Sequence, residues 1–323
     1  MKKISESITT VDCQYVGPEI AAAYLLCDSG RALFVDNNTS RAVPLLMAAL
    51  EAGGHSPESV EYLIITHVHL DHAGGTAALL KQCPNATVLC HPRAARHLIN
   101  PKRLVSSATQ VYGEAVFRHL YGEVEGVPAD RVRTVQDGET LVFGERTLRF
   151  LDTPGHARHH ICIHDSGSNG VFAGDCFGLY YPALQTGTRP LITCSSTPTE
   201  FDPDEARATV ARILDTGAER VYVSHFGMIE QVHEAALELV QSIDALEQIL
   251  IDAANSEWEG EALEAFCRER VEEETRRQFA YCVVEPHRDR WERIEADIII
   301  NARGLAYQAS RRRRGRGVTE EQQ

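Results

Sequence analysis

The segment Ile64 to Gly75, IITHVHLDHAGG, constrains this chain more than any other. It closes a nearly continuous apolar run, EYLIITH, rich in β-branched residues, as expected of a strand buried on both faces. Such a strand needs a layer on each side, so the surrounding sequence must supply helices or a second sheet. Directly after it stand His67, His69 and His72, interleaved with Asp71. A single core histidine is ordinarily a hydrogen-bonded packing residue, but this density at a strand end is hard to explain by packing. Positions two apart at a frayed strand end can face one side and share an ion. Neutral imidazole with carboxylate suits zinc, iron or manganese rather than an ion that selects thiolate.

The flanking sequence supplies the layers. Two strand-like runs, AAAYLLCDSG and RALFVDNN, meet at a hairpin turn, Asp28-Ser29-Gly30. SRAVPLLMAALEAGG has helical spacing and stops at Gly53-Gly54, and helix GGTAALLKQC with strand TVLCH follows the histidine segment. From Arg131 to Cys176 the texture changes to short strands with tight turns, and DPDEARATVARILDTG reads as a helix leading to strand RVYVSHFG. Two blocks of strands with helices predict an α/β fold of four layers, αββα, in which two mixed sheets pack face to face with helices outside. Beyond Met228 the pattern is helical. The expected division is residues 1–227 as the mixed α/β domain that carries the histidine segment, 228–310 as a helical subdomain and 311–323 as a disordered basic tail.

Composition limits the function classes. Nine scattered cysteines, never spaced as CxxC, read as reduced, mostly buried thiols. No apolar run approaches the roughly 18 residues of a membrane helix, and MKKISESITTVDCQYV lacks the hydrophobic stretch of a secretory signal, so a cytoplasmic location is expected. The formal charge is -14 although Arg311 to Gly317 carries five arginines. The remaining body is acidic enough to repel phosphate backbones, which disfavours nucleic acid as a partner. The helical region is expected to pack on the sheets or to form a homodimer.

THVHLDHAGG resembles the HxHxDH signature of the metallo-β-lactamase-fold hydrolases, and the rest of their pattern follows in order. DTPGHARHH supplies His156, FAGDCFG supplies Asp175 and VSHFG supplies His225, and the similarity runs from about Thr10 to Gly227. The resemblance implies two divalent metal ions, zinc by expectation with iron or manganese as alternatives. It places His67, His69 and His156 on the first, Asp71, His72 and His225 on the second, and Asp175 between them. It also implies that Asp36, in LFVDNN, orients the metal-binding loop from behind.

Two such cations would share an acidified water whose hydroxide attacks a carbonyl carbon or phosphorus, with Asp71 passing a proton to the leaving group. The glyoxalase II-like branch is the nearest in character, which implies a small ester, thioester or lactone as substrate. Two stretches are expected to act as covering loops: residues 101–130, and 177–203, where Tyr180 and Tyr181 are candidate pocket residues that packing would explain equally well. Two further readings use the same residues differently. One is a mononuclear-iron thiol or persulfide oxygenase, the other an RNA-binding protein or nuclease served by the arginine tail.

Overall fold

The computed structural model describes residues 2–3, 7–187, 189–196 and 200–320. The chain forms two compact units. One comprises Met1–Thr153, Arg158–Asp175 and Asp215–Glu230, the other Pro154–Ala157, Cys176–Leu214 and Gln231–Gln323.

The first unit holds both sheets. A seven-stranded sheet runs, in spatial order, β1 (Lys2–Lys3), β2 (Ile8–Asp12), β3 (Ala22–Asp28), β4 (Arg31–Val35), β5 (Val60–Ile64), β6 (Thr87–Cys90) and β7 (Val132–Thr134). Its first four strands are antiparallel and β4 to β7 are parallel. The six-stranded sheet contains β8 (Thr140–Phe143), β9 (Arg146–Asp152), β10 (Ile161–Asp165), β11 (Gly170–Gly174), β12 (Arg220–Val223) and β13 (Gly227–Ile229), with only β11 and β12 parallel. Both sheets are therefore mixed, as expected.

Side-chain alternation puts the sheets face to face. Tyr24, Leu26, Leu33 and Val35 point into a core shared with Leu148, Phe150, Phe172 and Tyr222 of the second sheet. Their neighbours Ala23, Leu25, Ala32 and Phe34 point the other way, into a core lined by α1 (Val43–Ala52), by α3 (Thr76–Gln82), which follows the single turn α2 (Leu70–Ala73), and by α4 (Pro92–Ile99). The β5 run serves both cores, because Ile64 belongs to the first while Leu63 and Ile65 belong to the second. That division explains its unbroken hydrophobicity.

Two expectations are corrected. Residues 101–130, read as a covering loop, hold helices α5 (Lys102–Tyr112) and α6 (Glu114–Tyr121), because Phe117 and Tyr121 with Leu104, Val105 and Ala108 form an apolar face packed on Leu70 and Tyr15. The basic stretch read as a disordered tail continues a helix. The second unit contains α7 (Pro203–Leu214), α8 (Val232–Asn255), α9 (Gly260–Tyr281) and α10 (Arg288–Glu320). In α10, Leu305, Ala306 and Ala309 are buried, and the Arg313 guanidinium donates to the carbonyl oxygens of Ala253, Ala254 (3.1 Å) and Trp258 (2.6 Å). A cation on the carbonyls at the end of α8 satisfies orphaned acceptors and opposes the helix dipole, so Arg313 is held. Residues 321–323 lie outside the described residues.

The units also cross the division expected at 227 and 228. α7 joins the carboxyl-terminal helices because Arg207 pairs with Asp244 (2.8 Å) and Glu247 of α8. The segment before α7 is tied there too: the Cys194 N–H donates to Ser242 Oγ (2.9 Å) and the Ser196 N–H to Asn301 Oδ1 (2.7 Å).

Candidate metal centre

The strand ends of the first unit carry the site. β4 ends at Val35, and Asp36 follows in the left-handed region (φ 56°), which turns its carboxylate back into the protein. There it is buried and fully engaged: it accepts from the Thr66 N–H (2.9 Å), Thr66 Oγ1 (2.8 Å) and Ser224 Oγ (2.9 Å), and faces His72 Nδ1 at 3.3 Å. These contacts join the ends of β4, β5 and β12 through one side chain.

With its Nδ1–H directed at Asp36, His72 turns Nε2 toward Asp175 Oδ1 (3.3 Å) and Asp71 Oδ2 (3.5 Å). His225 repeats the arrangement from the end of β12. Its Nδ1 donates to the Ile20 carbonyl oxygen (2.8 Å) while Nε2 faces Asp71 Oδ2 (3.4 Å) and Asp175 Oδ1 (3.7 Å). His67 lies with its ring 4.1 Å from His72 and 4.5 Å from His69, its Nδ1 against Thr66 Oγ1 (3.1 Å) and its Nε2 4.0 Å from Asp175 Oδ2. Thus His67, His72 and Asp175 form one group whose donor atoms lie within 4.8 Å of one another, and Asp71, His72 and His225 form a second. In the second unit His156 is buried with Nδ1 against the Ser195 carbonyl oxygen at 3.2 Å, the same use of that nitrogen.

This donor set fits a divalent cation. An Nδ1 hydrogen committed behind the ring leaves an Nε2 lone pair in front, the usual preparation of a ligating histidine. Lone pairs facing two carboxylates call for positive charge between them. The imidazoles show the same demand: burial alone would depress His72, but the Asp175 and Asp71 carboxylates outweigh it and hold it well above its ordinary value. His225, likewise opposed by burial and favoured by Asp175, is pushed up to about 9. Burial raises the Asp71 carboxyl, yet His72 and His225 hold it well below the carboxylate range.

Asp175 depends on what precedes it. Gly174 ends β11 at φ 51°, where an added Cβ would stand 2.5 Å from His160 Nε2 and 2.8 Å from Thr66 Oγ1. His160, buried, faces Thr153 Oγ1 through Nδ1 (2.8 Å) and accepts the Asp175 N–H at Nε2 (3.4 Å), so it positions that backbone. His159 stands nearby, its ring 5.8 Å from that of His69. Neither was singled out from the sequence, although the run HARHH at 156–160 was the available signal.

Tyr180 and Tyr181 belong to the second unit. Tyr181 is buried and its hydroxyl donates to Asp297 Oδ2 (3.0 Å), which anchors the segment to α10. All nine cysteines are free, and Cys27 alone is not fully buried.

The model of the metallo-beta-lactamase superfamily matches residues 16–225, which is most of the chain and includes every residue named above as a candidate donor. The chain belongs to the metallo-beta-lactamase superfamily. Among its relatives, a metallo-beta-lactamase fold-containing protein of Sulfurisphaera tokodaii is 30% identical over 179 residues, covering 54% of this chain and 64% of that protein. A hydroxyacylglutathione hydrolase of Synechococcus is 29% identical over 152 residues, 47% of each chain. The chain thus spans less than two thirds of the length of either relative. The crystal structure of an archaeal metallo-beta-lactamase superfamily protein from Sulfolobus tokodaii superposes with a TM-score of 0.64 at 22% identity, covering 93% of this chain and 98% of that one, which establishes the shared fold. Among the described residues no helix is long and apolar enough to cross a membrane.

Proposed function

We propose that this superfamily member is a metal-dependent hydrolase of small esters, thioesters or lactones. The observation that carries the reading is the convergence of His67, His72, His225, Asp71 and Asp175 from the ends of three strands, β5, β11 and β12. In the proposal His67, His69 and His156 would hold one divalent ion and Asp71, His72 and His225 a second, with Asp175 available as a ligand to either; zinc is the favoured ion, with iron or manganese as alternatives. Such ions, when bound, lower the pKa of coordinated water and stabilise negative charge on the attacked oxygen.

The chain's own groups do the rest. Asp36 fixes the His72 ring, the Ile20 carbonyl fixes His225, and Asp71, whose side chain keeps 23% of its surface exposed, is placed to carry a proton to the leaving group. The half-buried Tyr180 is the pocket residue kept in the proposal, whereas the Tyr181 hydroxyl is engaged by Asp297. An acylglutathione is a thioester, so the relative named hydroxyacylglutathione hydrolase favours that bond type.

The test is turnover of ester, thioester and lactone panels by the metal-loaded protein beside His69→Ala. Loss of turnover with an unchanged thermal transition is expected in the variant. Hydrolysis by His69→Ala at the parental rate, or a single equivalent of iron with oxygen uptake in place of hydrolysis, would overturn the reading.

A further inference from the structure

The chain's 46 acidic residues are spread along its length, yet none falls between Asp71 and Glu114. That interval carries Lys81, Arg93, Arg96, Lys102 and Arg103 together with His91 and His97. Folding partners two of these groups with acids from elsewhere: Lys81 pairs with Glu125 (2.7 Å), and His91 Nε2 lies 3.4 Å from Asp152. α4 places the next group beside the site. Arg93 and Arg96 are exposed, the Arg93 guanidinium donates to the Arg158 carbonyl oxygen (3.3 Å), and Arg96 Nε donates to His97 Nε2 (3.1 Å).

From there a line of rings leads inward. His97 is 6.3 Å from His159, His159 is 5.8 Å from His69, and His69 is 4.5 Å from His67. Exposure falls along this line, from the exposed arginines through half-buried His97, His159 and His69 to fully buried His67. Positive charge on a protein of net charge -14 is thus gathered beside the outer end of this line of histidines, all within the first unit.

We infer that Arg93 and Arg96 of α4 bind an anionic group, a carboxylate or phosphate, on the end of the substrate remote from the bond that is cut. The inference rests on the hydrolase reading and narrows its substrate to acidic esters or thioesters. Guanidinium suits this task because its planar fork matches both oxyanions. An acidic protein otherwise repels such ligands, so a local basic ledge raises their concentration where it matters. Binding energy from this remote group would orient the reacting carbonyl at the histidines.

The double variant Arg93→Gln/Arg96→Gln removes both charges while keeping good helix formers. Three substrates share one leaving group: p-nitrophenyl butyrate is neutral, mono-p-nitrophenyl glutarate carries a carboxylate, and p-nitrophenyl 4-phosphonobutyrate carries a phosphonate. The expected result is a roughly tenfold fall in kcat/KM for an anionic ester relative to the neutral one, expressed in KM, with the more affected ester identifying the anion. Equal ratios in the parent and the variant would overturn the inference. A calorimetric titration with glutaramate separates it from the hydrolase reading. If no ester is cleaved but glutaramate binds roughly tenfold more weakly to the variant, the basic ledge stands and the hydrolase reading falls. Absent or unaltered glutaramate binding would then overturn the ledge as well.

Discussion

At Gly174 the space left by a missing Cβ decides how Asp175 is presented. The backbone is left-handed there, and a methyl group would collide with His160 Nε2 and Thr66 Oγ1. Gly174→Ala is therefore expected to cost about 2 to 4 kcal/mol of stability in chemical denaturation, the range for overpacking combined with backbone strain. Asp36 acts differently, because it touches none of the other candidate donors and works through the His72 ring. Asp36→Asn keeps the shape but removes the charged acceptor, and a competition titration against a chromophoric chelator should show metal affinity reduced by about 10- to 100-fold. An unchanged affinity would mean that His72 is oriented by something else. Single residues were legible in the sequence where chemistry is concentrated, as in His67 to His72. His159 and His160 were not, because their relevance lies in contacts with Thr153, Asp175 and His69, which are distant in the chain or in another element.

Elements are held by a few buried ion pairs as well as by the two cores. Arg146, at the start of β9, bridges Asp28 (2.8 Å) at the end of β3 and the fully buried Asp165 (2.8 Å) at the end of β10. Arg146→Met leaves the buried Asp165 carboxylate without its cation, though still accepting from Gly167 and Ser168, for which about 3 kcal/mol of lost stability is expected in urea unfolding. Asp28 gives the pair a pH dependence. Burial raises its carboxyl, but the hydrogen bonds from Arg146 and Ser29 outweigh that and leave it below the ordinary aspartate value. A depressed carboxylate stabilises the fold above its unfolded pKa and loses that contribution as pH falls through the folded value. Below about pH 4, stability should therefore fall more steeply in the parent than in Asp28→Asn; parallel acid limbs would refute the assignment. The strands and the β3–β4 hairpin were legible because alternation and the Ser29-Gly30 turn are local signals. Helices α5 and α6 were not, since their apolar faces make sense only against Leu70 and Tyr15. The α10 extension was obscured for a related reason, because Arg313 is ordered by the Ala253 and Ala254 carbonyls at the end of α8.

At the scale of the whole molecule, the two sheets and their shared core follow from periodicity, and the family follows from motifs in register across residues 16–225. The division into units does not follow from sequence order, since Pro154–Ala157 and Cys176–Leu214 belong with the carboxyl-terminal helices through pairs such as Arg207 with Asp244 and Ser196 with Asn301. His156 consequently lies in a different unit from the other six candidate donors. The measurement closest to the central claim is metal content determined by mass spectrometry alongside hydrolysis of a thioester, on the same preparation before and after chelation. About two equivalents of divalent metal, activity lost on chelation and recovered on adding metal back, is the predicted result. Full hydrolytic activity in a preparation stripped of metal would contradict it.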